Sequence, residues 1–196
     1  MKVLLDNGHG DPPITGGKQS PDGKLKEYYW AREITSRLLV ELRAKGIDAD
    51  RIVPEKEDIS LKERVKRVND ICSKFGSNNV VLISVHVNAS ASYGWHLGSG
   101  FSVFVSKNAS NSSKNLAKIF TENAESAKLL GNRYVPKEKY WVGNYAIVRD
   151  TKCPAVITEN MFMDNTKDCE FLLSEKGKKA IVKLHVKSIL EYIKSK

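Results

Sequence analysis

The segment Val80-Val81-Leu82-Ile83-Ser84-Val85 decides the fold of this 196-residue chain. Apolar residues occupy odd and even positions alike, so both faces of a strand formed here would be buried. Such a run is typical of a central strand in a parallel sheet, because crossover helices then cover both faces. The segment therefore predicts an α/β protein built around this strand.

Short apolar runs and longer amphipathic runs alternate on both sides of this segment. Besides 80–85, the predicted strands cover residues 2–6, 47–53, 100–106, 146–149 and 155–158. The predicted helices cover residues 29–45, 61–75, the region around 116–124, and 174–194. Ser60 and Glu63 form a capping box before the second helix, whose apolar stripe comprises Leu61, Val65, Val68, Cys72 and Phe75.

This order of elements predicts the architecture. Strands that alternate with helices of this length favour a three-layer α/β sandwich, with a twisted, mostly parallel sheet flanked by helices. Internal repeats, low-complexity tracts and linkers are absent from the sequence. We therefore expect residues 1–196 to form a single domain.

The chain carries a net charge of +9, from 32 Lys and Arg against 23 Asp and Glu. A surplus of this size favours association with polyanions, such as nucleic acid or the anionic polymers of a bacterial wall. Most basic residues fall on helical segments, among them Lys62, Arg64 and Lys66, and are expected on solvated helix faces. Because the sequence has no basic cluster with a recognisable reading element, we do not expect nucleic-acid binding.

Cysteine content and the N-terminus bear on the cellular compartment. Cys72, Cys153 and Cys169 form no C-x-x-C pair, which argues against a disulfide scaffold and a cysteine zinc site. No apolar run approaches the ~18 residues of a transmembrane helix. The polar stretch 6–9 interrupts the first apolar run, so an export signal is not expected. These features predict synthesis in the cytoplasm.

Three residues with catalytic chemistry follow predicted strands. His9 lies in Asp6-Asn7-Gly8-His9-Gly10 after the first strand, His86 follows the central strand, and Glu159 follows a late strand. In open α/β sheets, ligands bind outside the carboxyl ends of the strands. A histidine at a strand end is often only structural, but two imidazoles and a carboxylate at one edge favour a metal site.

Zinc suits these residue types best. It accepts imidazole nitrogen and carboxylate oxygen, and a catalytic site uses three protein ligands and leaves one position open. With two histidines and one glutamate as ligands, a second carboxylate remains to act as general base. Glu27, before the first helix, is the candidate for the third ligand. The glycines on either side of His9 are expected to let the backbone turn sharply and bring the ring to the metal without a side-chain clash.

These motifs resemble the zinc-dependent N-acetylmuramoyl-L-alanine amidases of the type 3 family, found among autolysins and phage endolysins. The family's Asp-Pro-Gly-His-Gly stretch resembles residues 6–10, with Asn7 in place of proline. Its Ser-Ile-His-Ala-Asn-Ala stretch resembles residues 84–89. Its later motif of Arg, Pro-Ala-Val, Glu, Phe and Asn is similar to Arg149, residues 154–156, Glu159, Phe162 and Asn165.

The resemblance implies roles for individual residues. His9, Glu27 and His86 correspond to the zinc ligands and Glu159 to the catalytic carboxylate. Arg149 would stabilise developing negative charge or hold a substrate carboxylate, although an ordinary ion pair explains it equally well. The match at Glu27 is the weakest, because Tyr28 follows it where the family has lysine, and Glu33 or another carboxylate is the alternative.

The resemblance also implies the reaction: hydrolysis of the amide between N-acetylmuramic acid and L-alanine in peptidoglycan. Alternatives are a zinc carboxypeptidase that shortens stem peptides and a wall-binding module that has lost catalysis. Peptidoglycan is the expected partner, with anionic wall polymers as a further one. A chain made in the cytoplasm and acting on the wall or periplasm fits release of the endolysin type, or a secreted enzyme trimmed of its signal.

Overall fold

The computed structural model describes residues 1–11 and 18–196. The strands formed by these residues are β1 (Lys2–Asn7), β2 (Ala49–Arg51), β3 (Val80–Asn88), β4 (Ser102–Val105), β5 (Trp141–Val142) and β6 (Ala155–Phe162). The helices are α1 (Glu27–Ala44), α2 (Leu61–Phe75), α3 (Asn111–Ser126), α4 (Ala146–Arg149), α5 (Thr166–Leu173) and α6 (Glu175–Lys194).

The strands form one sheet, in the order β2-β1-β3-β6-β4-β5. β2, β1, β3 and β6 run parallel, while β4 pairs antiparallel with β6. The predicted central strand does lie in the middle, between β1 and β6. Parallel pairing brings the carboxyl ends of β1, β3 and β6 to one edge, and it sets His86 beside Glu159.

Helices cover both faces of the sheet. Val3, Leu5 and side chains from α1, α3 and α6 share one buried cluster, whereas Leu4 shares another with Val68 of α2 and Ile147 of α4. Because neighbouring residues of a strand point to opposite faces, β1 contributes to both clusters. The three-layer sandwich with a mostly parallel sheet is therefore confirmed.

The prediction of a strand at residues 146–149 is wrong. This segment forms α4, whose adjacent residues Ile147 and Val148 are both buried against the α2 side. Its β-branched residues favour a strand, but packing against α2 overrides that local preference. β4 pairs with β6 on one side and with β5 on the other. Neither β5 nor α5 was predicted from the sequence.

The stripe predicted for α2 is partly wrong. Val68 and Cys72 are buried, but Leu61 and Phe75 at the ends of the helix are 55% and 46% exposed. The third fully buried position of this helix is Arg64, which was expected on a solvated face. The cap at Ser60 is confirmed, since its hydroxyl accepts a hydrogen bond from the Glu63 backbone N–H.

The state of the cysteines and the length of the helices test the predictions about disulfide bonds and transmembrane helices. Cys72, Cys153 and Cys169 are all free and buried. Among the helices of residues 1–11 and 18–196, none is both long enough and apolar enough to cross a bilayer.

His185 of α6 is a buried histidine in the core. Its Nδ1 donates a hydrogen bond to the Ile181 carbonyl at 2.9 Å, and its Nε2 accepts one from the Thr158 hydroxyl at 3.0 Å. Both ring nitrogens are thereby used by the neutral imidazole. Burial lowers the pKa of His185 to about 4, because a charged ring would lose its hydration.

We expect His185 to make folding sensitive to acid. Its folded pKa lies below the unfolded value of about 6.5, so its contribution is complete above that pH and is lost as pH falls towards 4. The loss amounts to at most about 3 kcal/mol in the free energy of unfolding. Urea unfolding of the wild type and His185→Gln at pH 7 and pH 4.5 measures it. The variant should lose less stability than the wild type, whereas His96→Gln, in a surface loop, should match the wild type.

Candidate metal centre

His9 follows β1 in a tightly constrained turn. His9 itself adopts φ 60°, in the left-handed region that residues other than glycine rarely occupy. A Cβ at Gly8 would overlap the His86 ring, and one at Gly10 would overlap the backbone of Asp58. The expectation that the flanking glycines avoid a side-chain clash is therefore confirmed, whereas the positive φ of the turn falls on His9 itself.

Arg64 holds this turn from the side of α2. Its side chain is 3% exposed, and its guanidinium forms an ion pair with Asp6 at 2.6 Å and with Asp58 at 3.2 Å. It also donates hydrogen bonds to the carbonyl oxygens of Asn7 and His9, at 2.7 and 2.9 Å. A buried charge with this many partners fixes the backbone on both sides of Gly8.

Glu27, the first residue of α1, bridges the two histidines. Its Oε1 lies 3.0 Å from His86 Nδ1, and its Oε2 lies 3.4 Å from His9 Nε2. The Val87 backbone N–H also donates to Oε1 at 3.0 Å. The carboxylate is only 2% exposed, so it sits between the imidazoles rather than in solvent.

The alternative ligand, Glu33, lies elsewhere. It is half-buried and forms ion pairs with Arg37 of α1 and Lys178 of α6. Of these two acidic residues in α1, the structure therefore brings Glu27 to the histidines.

The electrostatics of the three side chains are coupled. Burial opposes the charge on His86, but the hydrogen bond and negative charge of Glu27 raise its pKa to about 9. Burial opposes the charge on Glu27 too, yet bonding to His86 keeps its pKa below the usual value. Burial lowers the pKa of His9. A cation that binds here has to displace the proton on His86, because only a neutral imidazole ligates a metal.

Glu159 of β6 lies next to this group. It pairs with His86 across the sheet, and its Oε2 is buried with no hydrogen-bond partner in the part of the chain that the structure describes. Burial raises the pKa of Glu159 to about 7. Both residues line a cavity of about 650 Å³, together with His9, Lys18, Glu27 and Tyr145.

The donor set fits a zinc ion. His9, Glu27 and His86 each offer a ligand atom, and these atoms lie within 4.8 Å of one another. Two imidazoles and one carboxylate form a ligand set found in catalytic zinc sites, which keep a fourth position open. Glu159, with its unpaired Oε2, lines the same cavity. The three predicted ligands thus form a candidate metal site beside a carboxyl group free to act as a base.

Arg149 is placed less favourably for chemistry. It is exposed, forms two hydrogen bonds of 2.7 Å with the Asp150 carboxylate, and donates to Asn144 at 2.8 Å. These contacts are those of the ordinary ion pair named as its alternative role. Its part in catalysis stays a prediction.

Two residues of the site were not predicted. Ser84 contacts His86 Nε2 at 3.1 Å and donates a hydrogen bond to Asp6 at 2.5 Å, thereby linking β3 to β1. Arg64 precedes Val68 by four residues and Cys72 by eight, so helical spacing put it on the buried side of α2. That spacing was the available signal.

Comparison with known proteins agrees with this geometry. A family model described as N-acetylmuramoyl-L-alanine amidase matches residues 3–191. The chain belongs to this amidase family. A curated relative, the N-acetylmuramoyl-L-alanine amidase CwlM of Bacillus licheniformis, is 24% identical over 189 residues, which are 96% of this chain and 67% of the relative.

Solved amidase structures share the fold. The crystal structure of the amidase Ami1 from Mycobacterium smegmatis superposes with a TM-score of 0.85 at 18% identity, covering 100% of this chain and 98% of that one. An amidase from Clostridium difficile 630 gives 0.81 at 24% identity, covering 100% and 97%. The catalytic domain of the endolysin CD27L gives 0.72 at 24% identity, covering 97% of each chain.

Family membership confirms the expected reaction class. The chain is an amidase of peptidoglycan, acting on the bond between N-acetylmuramic acid and L-alanine, as the family description states. The predicted resemblance and the predicted α/β fold are both confirmed.

We expect removal of the Arg64 guanidinium to disrupt the His9 turn. Arg64→Met leaves the Asp6 carboxylate buried without its partner, which typically costs about 3–5 kcal/mol in the free energy of unfolding. Lys62→Met, on the exposed side of the same helix, should change the free energy of unfolding by less than about 0.5 kcal/mol. Chemical denaturation followed by circular dichroism measures both. Equal stability of the two variants would show that the buried ion pair does not hold this turn.

Proposed function

We propose that the protein is a zinc hydrolase in which His9, Glu27 and His86 hold the metal and Glu159 is the general base. One observation carries this proposal: Glu159, whose buried Oε2 has no hydrogen-bond partner among the described residues, lines the same cavity as the two-histidine, one-glutamate donor set. When bound, zinc supplies a water with its pKa lowered towards ~7, polarises the scissile carbonyl, and favours the ionised form of Glu159.

Glu159 moves the proton in this mechanism. Its carboxylate accepts a proton from the attacking water and then donates it to the departing amine nitrogen of L-alanine. Burial raises its pKa, so the protonated form is accessible at the second step. Because Arg64 and Glu27 fix the histidines, the donor set needs little rearrangement before the reaction.

The proposal extends to domain and location. We propose that residues 1–196 act as one catalytic domain, with the 650 Å³ cavity as the place where the amide binds. Anionic wall polymers are proposed as further partners because of the net charge of +9. Cytoplasmic synthesis, followed by action on the wall or periplasm, is the corresponding proposal for localisation.

Metal content tests the ligand set. The purified protein should bind about one equivalent of zinc, whereas His86→Ala should bind it more than about a hundredfold more weakly, since even loss of an outer-shell partner costs 10–100-fold. His96→Ala is the matched control, because His96 contacts the Tyr93 carbonyl and lies outside the donor set. Titration against a competing chelator measures the affinities. Unchanged affinity in His86→Ala would remove this residue from the site.

Substitution of the proposed base separates chemistry from metal binding. Glu159→Gln should retain zinc but lower the turnover number by about 10²–10⁴-fold, because the amide cannot accept the proton. Glu33→Gln, which changes the half-buried carboxylate of α1, should retain activity. Zinc analysis and hydrolysis of a muramoyl peptide provide the two measurements. Near-normal turnover by Glu159→Gln would exclude it as the base.

The products distinguish the amidase from its alternatives. Mass spectrometry of digested peptidoglycan should show released stem peptides that begin with L-alanine, and glycan strands without peptides. Shortened peptides still attached to glycan would instead indicate a carboxypeptidase, and an unchanged digest would indicate a binding module.

A further inference from the structure

Arg133 lies close to the cavity with its hydrogen-bond donors unused. Its guanidinium carbon is 5.0 Å from the ring centroid of Trp141 and 5.2 Å from that of Phe162. It forms no hydrogen bond or ion pair with any of residues 1–11 and 18–196. The two aromatic rings therefore restrain the side chain, and its N–H groups remain available to a ligand.

Arg133 is electrostatically connected to the active site. Its positive charge acts on both Glu159 and Tyr145, which line the cavity. Phe162, one of its two rings, lies three residues after Glu159 at the end of β6. The other ring belongs to Trp141 of β5, which pairs with Phe104 of β4. The guanidinium therefore contacts one ring from β5 and one from β6, and its charge acts on Glu159 of β6.

Two other basic side chains between residues 133 and 149 are already paired. Arg149 is bound by the carboxylate of Asp150, and Lys139 forms an ion pair with Glu125 at 3.0 Å. A cation neutralised by a neighbouring carboxylate has fewer donors for a ligand than one held only by aromatic rings. This difference favours Arg133 over Arg149 as the arginine that meets the substrate.

We propose that Arg133 binds a free carboxylate on the stem-peptide residue that follows L-alanine, and so determines which stem peptides the enzyme accepts. The inference rests on the proposed function, because it places the stem peptide in the cavity beside Glu159. A planar guanidinium presents paired donors that match the two oxygens of a carboxylate, whereas a neutral amide offers one acceptor. The enzyme therefore prefers an acidic second residue to its amidated form.

Matched substrates test this preference. Two muramoyl peptides that differ only in a free or amidated side carboxyl group on the second residue are compared by kcat/KM with zinc-loaded protein. The wild type should prefer the free carboxylate by about ten- to a hundredfold, the usual effect of a hydrogen bond to a charged group. Arg133→Gln should bring the ratio close to one, mainly by raising KM for the acidic peptide. Arg133→Lys, which retains the charge but not the paired donors, should lie between them.

Direct binding gives a second measurement that does not depend on turnover. Calorimetry compares L-alanyl-D-glutamate with L-alanyl-D-isoglutamine, in which the α-carboxyl group is amidated. Both ligands are measured with the wild type and with Arg133→Gln. Selective loss of affinity for the acidic dipeptide supports the assignment. A wild type without preference, or a variant that weakens both ligands equally, overturns it. Preserved selective binding without cleavage of either muramoyl peptide would instead contradict the proposed function and leave the role of Arg133 supported.

Discussion

The buried guanidinium of Arg64 holds together the turn that carries His9. It compensates the charge of Asp6 and donates hydrogen bonds to the carbonyl oxygens of Asn7 and His9. This anchoring lets His9 adopt a left-handed backbone conformation next to a glycine that has no room for a side chain. The position of His9 thus depends on Arg64 of α2, which packs on the face of the sheet opposite to α1.

Glu27 fixes the two imidazole side chains, just as Arg64 fixes the backbone around His9. Its buried carboxylate bridges His9 and His86, so the three proposed ligand side chains are held together by hydrogen bonding and charge. In the metal-free protein, the proton on His86 balances the charge of Glu27. A divalent cation held by His9, Glu27 and His86 would replace that proton, and its binding would then be coupled to proton release.

Two charged groups in and beside the cavity lack hydrogen-bond partners among the described residues. Glu159 has a buried oxygen without a hydrogen bond, and Arg133 has free donors restrained by Trp141 and Phe162. Elsewhere, charged side chains such as Arg67 and Lys178 form ion pairs. Unpaired groups of opposite charge are typical of sites whose partners arrive with the substrate.

The sequence by itself determined the central strand, the layer architecture, the reaction class, and the residues proposed as ligands and base. Each follows from local patterns: a doubly buried apolar run, polar residues after strands, and motifs in a fixed order. Tertiary structure decided what local patterns do not encode. It turned residues 146–149 into a helix by packing on α2, placed Glu27 rather than Glu33 between the histidines, and buried Arg64. These outcomes depend on contacts between segments far apart in the chain, whose energies exceed local preferences.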